Sequence, residues 1–176
     1  YMPAALSSDG SLISQPAIWN DWGEVVQKTI ERYSGKSTVL CQGKVRGSDL
    51  ADTYYEVWNE PDHETFGKWS IYGGKNYLTL YFYSAEGASR AQNVLNFKLG
   101  GPSTTSAYKN WFQKFISYVD EKNLRLDFIS WHHYTKNPDD YLKDVDNIDS
   151  WLADEKYTLY RQLPFVISEW GYDSNY

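Results

Sequence analysis

The sequence predicts an α/β fold with about four parallel strands and a helix between each successive pair. Three observations carry this. Short apolar runs of strand length alternate with helical patterns along most of the 176 residues. Runs as apolar as Phe165 to Ile167 show the pattern of strands buried on both faces of a parallel sheet. Each run then closes on polar or aromatic residues, which gathers candidate functional groups at the carboxyl ends of the strands.

Residues 1–17 are rich in Ser, Ala, Pro and Gly without periodicity, and read as an irregular entry to a single domain spanning 1–176. From Ile18, "IWNDWGEVVQKTIERYSG" sets Trp22, Val25, Val26, Ile30 and Tyr33 on one helical face and ends at Gly35. "STVLCQGKVRGSDLADT" reads as a polar connector, followed by a strand from Tyr54 to Trp58 and a loop to about Tyr72. "KNYLTLYFYSAEGASRAQN" is a helix by length and propensity despite Gly87. "NFKLGGP" is a strand closed by Gly100, Gly101 and Pro102, and "YKNWFQKFISYVDEKN" is a helix with Trp111, Phe115, Tyr118 and Val119 on one face. "LDFISWHHY", "DDYLKDVDNIDSWLADEKY" and "PFVISEWG" complete the alternation as strand, helix and strand.

A formal charge of −6 and a pI near 5.0 provide no basic field, which argues against a nucleic-acid partner. No apolar run approaches the roughly 20 residues of a membrane span, and no basic leader with an apolar segment opens the chain, so no membrane partner is expected and localisation stays open. Cys41 is the only cysteine, which removes internal disulfides and thiolate metal sites, and its polar surroundings show no pairing feature for nucleophilic chemistry. No glycine-rich phosphate motif follows a strand, and neither a metal nor a cofactor is expected. Eight Trp and sixteen Tyr suit the faces of sugar rings, although they equally suit cores and interfaces.

The candidate strand ends are Asn59 and Glu60; Ser103 and Thr104; His132, His133 and Tyr134; Glu169 and Trp170. Glu60 and Glu169 are the pair of chemical interest, because a curled sheet would bring their carboxyls face to face. Glycoside hydrolysis needs such a pair: one carboxyl protonates the leaving oxygen, and the other attacks the anomeric carbon or activates water. The competing reading makes both of them solvated loop acids.

"EVWNEPD", with Trp58, Asn59, Glu60 and Pro61, resembles the acid/base motif at the end of strand four of the clan A retaining glycoside hydrolases, and "PFVISEWG" resembles their strand seven, which carries the nucleophile. "DFISWHHY" and "LGGPSTT" are similar to strands six and five of family 39, which includes β-xylosidases, α-iduronidase and exopolysaccharide endoglycosidases. "ERYSG" matches the segment before strand four. The resemblance implies a partial (β/α)8 barrel, from helix three to strand seven. It implies Glu60 as acid/base, Glu169 as nucleophile, Asn59 on the hydroxyl beside the reacting carbon, and His132 and Tyr134 at the site. Trp170, Trp58 and Trp131 are the candidates for a sugar platform, and His133 is expected to support or pack. Asp62 and His63 stand where the family has an Asn and a variable residue.

A complete barrel of this kind takes about 250 residues. The expected function is therefore a retaining O-glycosidase on an oligo- or polysaccharide, either truncated or assembled from more than one chain. The expected partner is a second copy or another chain that completes the barrel. The alternatives are a non-catalytic carbohydrate-binding remnant and an interaction module that uses its open sheet edge.

Overall fold

The structure is a computed structural model that describes residues 1–37, 40–41, 44–45 and 48–173, with the backbone alone at 40–41 and 44–45. Its centre is a four-stranded parallel sheet of β3 (Thr53–Glu56), β4 (Phe97–Thr104), β5 (Phe128–Tyr134) and β6 (Phe165–Gly171), hydrogen-bonded in that order. Helices α1 (Trp19–Tyr33), α2 (Tyr77–Arg90), α3 (Lys109–Glu121) and α4 (Asp139–Trp151) flank it, giving a half-barrel. Each crossover returns the chain to the neighbouring position in the sheet, so all four strands end on the same side.

The sheet is strongly curled. Ser168 on β6 donates to Glu56 Oε1 on β3 at 2.7 Å, although these are its first and fourth strands. In a flat sheet strands three places apart lie roughly 14 Å from one another. Only curvature toward a barrel brings a Ser and a Glu side chain together across that span.

The core lies between this sheet and the helices. Tyr77, Leu80 and Tyr81 of α2, together with Phe112, Phe115 and Ile116 of α3, pack against Leu99, Ile129 and Trp131 of the strands, all buried. Burying each such side chain is worth about 1.5–3 kcal/mol. Helix α1 lies on α2 through two glycines: a Cβ on Gly87 would stand 2.1 Å from Gly23 O. Gly87, a weak helix former, is thus the residue that permits close approach.

Several boundaries differ from the sequence expectation for local reasons. The connector after α1 contains an antiparallel pair, β1 (Leu40–Cys41) with β2 (Lys44–Val45), while the Cys41 side chain lies outside the described residues. Strand β4 runs through Gly100, Gly101 and Pro102 instead of closing there. Gly100 makes room for a ring, since its Cβ would meet Phe128 at 2.6 Å. The helix expected over 139–157 stops at Trp151, because the Asp154 side chain caps a separate 3₁₀ turn at Glu155–Tyr157. Residues 1–17 contain one isolated bridge, Ser7 to Pro16, yet Met2 is fully buried and Lys75 Nζ donates to Ile13 O at 2.6 Å.

Candidate active site

Two β-bulges and three left-handed residues aim the side chains of the site. Trp131 pairs with Ile167 but His132 pairs with Glu169, leaving Ser168 as the extra residue on β6. The bulge lets Ser168 and Glu169 both reach the concave side, against the alternation of an ordinary strand. On β4, Pro102 pairs with Ser130 and Thr104 with Trp131, so Ser103 is extra there and takes φ 57°. At the end of β3, Trp58 takes φ 72° and Glu60 φ 40°.

A positive φ at a residue with a side chain costs of order 1–3 kcal/mol and survives only when the surroundings enforce it. At Trp58 they do: its indole N–H donates to Phe66 O at 2.8 Å, and its ring packs edge-on against Trp22 and Trp69. The Glu60 backbone N–H donates to Ser103 O at 2.9 Å, which ties the two irregular strand ends together.

His132, fully buried, sits between the two carboxylates. Its Nδ1 is 2.9 Å from Glu60 Oε1 and 3.5 Å from Glu169 Oε2, while Nε2 is 3.3 Å from Ser103 Oγ. An imidazole whose Nδ1–H serves carboxylates presents Nε2 as the acceptor, which suits the Ser103 hydroxyl. Tyr134 donates its hydroxyl to Glu169 Oε2 at 3.0 Å. One oxygen of each carboxylate and one ring nitrogen of His132 lie within 4.8 Å of one another. Such a set could converge on a cation, yet the His132–Glu60 hydrogen bond already engages two of the three groups with each other.

The structure thus brings Glu60, Glu169, His132 and Tyr134 into one cluster, with Asn59 half-buried beside Glu60. The three Trp candidates lie elsewhere. Trp131 is fully buried, its indole N–H donating to Asp144 Oδ2 on α4 at 2.8 Å, so it has no free face for a sugar. Trp58 serves the aromatic packing that fixes its own backbone. Trp170 is 71% exposed and lines a cavity of about 430 Å³ with Tyr141 and Ile167. A different cavity, about 360 Å³, is lined by Glu60, His63, Thr105, Ser106, His133 and Tyr134.

Sequence reasoning missed three contributors. Glu56 and Ser168 meet only because the sheet curls, and Asp144 belongs to an acid-rich helix that reads as a solvated face. Asp62, where the family pattern has an Asn, accepts from Thr105 N at 3.0 Å and also from the Thr105 hydroxyl, joining the loops that follow β3 and β4.

Two carboxylates at the carboxyl ends of curled parallel strands are the arrangement that barrel glycoside hydrolases use. Residues 10–159 match Glycosyl hydrolases family 39, and the chain belongs to that family. It is 28% identical over 143 residues to a β-xylosidase from Caldicellulosiruptor saccharolyticus, covering 76% of this chain and 26% of that protein. A β-xylosidase from Geobacillus stearothermophilus is also 28% identical, over 147 residues, covering 77% of this chain and 26% of its own length. The chain therefore spans about a quarter of these relatives.

Among solved structures, a glucosidase from Croceicoccus marinus superposes with TM-score 0.66 at 18% identity, over 90% of this chain and 31% of that one. A family 39 β-xylosidase from Caulobacter crescentus superposes with TM-score 0.64 at 21% identity, over 92% and 32%. At these identities the likeness speaks to the fold, a segment of a (β/α)8 barrel.

Proposed function

We propose that this chain carries the catalytic face of a retaining glycoside hydrolase acting on an oligo- or polysaccharide. The observation that carries the proposal is the carboxylate separation, with one oxygen of Glu60 and one of Glu169 inside 4.8 Å. Retaining enzymes hold their carboxyls about 5–5.5 Å apart, whereas inverting ones leave about 6.5–9.5 Å for a water. In this reading Glu169 attacks the anomeric carbon as Glu60 gives its proton to the departing oxygen. Glu60 then takes a proton from the water that releases the sugar from Glu169.

The neighbours fit these roles. The Tyr134 hydroxyl, 3.0 Å from Glu169, orients the nucleophile, and His132 bridges the pair. Asn59 would hold the hydroxyl beside the reacting carbon, a contact that strengthens in the transition state. The names of the matched β-xylosidases make β-xylosides the first substrates to test.

We further propose that additional polypeptide, from the same or a partner chain, completes the barrel. Two observations support this. Tyr54, on edge strand β3, is half exposed with its ring 4.9 Å from Phe128, and edge strand β6 has no fully buried residue. Open strand edges of this kind are normally paired or covered. Sedimentation of the chain as a stable 20.5 kDa monomer would count against completion by a second copy.

Hydrolysis of 4-nitrophenyl β-xyloside and of xylobiose by the full chain tests the catalytic reading. Glu60→Ala should lower xylobiose turnover by about 10²–10⁴-fold, the usual worth of a general acid, and Glu169→Ala should abolish turnover. The reading fails if the wild-type chain binds these sugars without turnover and both variants bind them equally well.

A further inference from the structure

Between His132 and Tyr134, which serve the carboxylate pair, His133 makes a different set of contacts. Its Nδ1 lies 2.5 Å from Asp144 Oδ2 on α4, and the same oxygen accepts the Trp131 indole N–H at 2.8 Å. Tyr141, one turn earlier on α4, packs its ring edge-on against the imidazole, with centroids 5.4 Å apart at 69°, and directs its hydroxyl toward Gly171 O on β6. Both partners of this hydrogen bond are mostly shielded, with side chains 19% and 13% exposed. The ring is thereby held in position and orientation.

A carboxylate can only accept, so Nδ1 carries the hydrogen of this bond. Nε2 is then the acceptor of the neutral ring, and no described residue bonds to it. His133 lines the 360 Å³ cavity together with Glu60, His63, Thr105, Ser106 and Tyr134, and Glu169 is not part of that lining. The volume is at the lower end of the about 300–1,000 Å³ typical of small-molecule sites. Its walls are imidazoles, hydroxyls and a carboxyl, suited to a polyhydroxylated ligand, and that carboxyl is Glu60, the group read as protonating the leaving oxygen.

We propose that His133, held in one tautomer by Asp144, accepts a hydrogen bond from a hydroxyl of the leaving-group sugar in this cavity. His133 is then a substrate-binding residue, and Asp144 is the positioning residue that keeps Nε2 available. The assignment rests on the reading of Glu60 as the acid. Strand alternation gives the two adjacent histidines separate partners: His132 reaches the carboxylate pair across the concave side, and His133 is braced from the helix side.

The test uses the full chain labelled with ¹⁵N at histidine and titrated with xylobiose. In the free protein His133 Nε2 should resonate as an unprotonated nitrogen and Nδ1 as a protonated one. Saturating xylobiose should shift Nε2 upfield, as expected for a nitrogen that has gained a donor, and Asp144→Asn should mix the two tautomers. In kinetics, His133→Gln, which leaves the Asp144–Trp131 bond in place, should lower kcat/KM for xylobiose about tenfold more than for 4-nitrophenyl β-xyloside, mainly through KM. That ratio is the worth of one ordinary hydrogen bond to the sugar that the aryl substrate lacks. A protonated Nε2 in the free protein, an Nε2 resonance unmoved by xylobiose, or equal losses on the two substrates would overturn the proposal. If the wild-type chain hydrolyses neither substrate, the catalytic reading falls by itself, and the Nε2 response to xylobiose still decides the contact.

Discussion

Tyr77→Phe probes the link between the core and the strand end that carries Glu60. Tyr77 is fully buried on α2, and its hydroxyl donates to Val57 O at 2.9 Å, one residue before the left-handed turn at Trp58. The substitution leaves the ring and its packing intact but strips a buried carbonyl of a donor. A net hydrogen bond is worth about 0.5–1.5 kcal/mol, and an unsatisfied buried group costs about 1–3 kcal/mol, so a loss of about 2 kcal/mol is expected. With a urea m-value of about 2 kcal/mol per M, the midpoint should fall by about 1 M. Tyr81→Phe is the control. It removes a hydrogen bond of similar length, Tyr81 hydroxyl to Arg125 O at 2.8 Å, ahead of the start of β5 and away from the strand ends. Both variants should lose stability, whereas only Tyr77→Phe should also weaken hydrolysis, because only it loosens the turn that positions Glu60. A Tyr77→Phe midpoint within about 0.2 M of wild type would refute the reasoning, given the size of shift expected.

Two further predictions concern stability. Gly87→Ala places a methyl 2.1 Å from Gly23 O, so α1 and α2 must separate; an overpacking cost of about 1–3 kcal/mol should exceed the about 1 kcal/mol gained in helix propensity. A raised melting temperature for this variant would show that the helices do not cross at these glycines. The second concerns alkaline pH: burial holds the phenols of Tyr77 and Tyr81 well above the usual range, and burial followed by the hydrogen bond to Asp120 pushes Tyr160 up to about 12. In the unfolded chain these groups ionise near pH 10. Their stabilisation is therefore complete below about pH 10 and is lost as the pH rises toward 12, the direction in which the unfolded state releases protons first. Urea midpoints measured between pH 9 and 11.5 should fall, and less steeply in Tyr160→Phe; a flat profile would contradict the burial described.

The order of strands and helices was legible in the sequence because each is fixed by a local period of apolar residues, as in α1 and α3. The positions of Glu60 and Glu169 were legible for the same reason. Each lies just beyond an apolar run, and the parallel topology sends the carboxyl ends of all four strands to one side. Contacts set by curvature and register belong to the tertiary structure alone. The extra residues Ser103 and Ser168 turn a side chain toward the site with no sequence signal of a bulge, and the Ser168–Glu56 bond exists only because the sheet curls. Trp131 reads as a ligand platform in a strand-end motif, but strand alternation directs it to α4, where Asp144 takes its N–H. Gly87 reads as a flaw in a helix until Gly23 is placed against it. The sequence by itself determined which chemistry-bearing residues stand at strand ends, because that is a one-dimensional property. Only the tertiary structure decided that two carboxylates meet within 4.8 Å around a buried imidazole, because that distance is set by how separate segments pack.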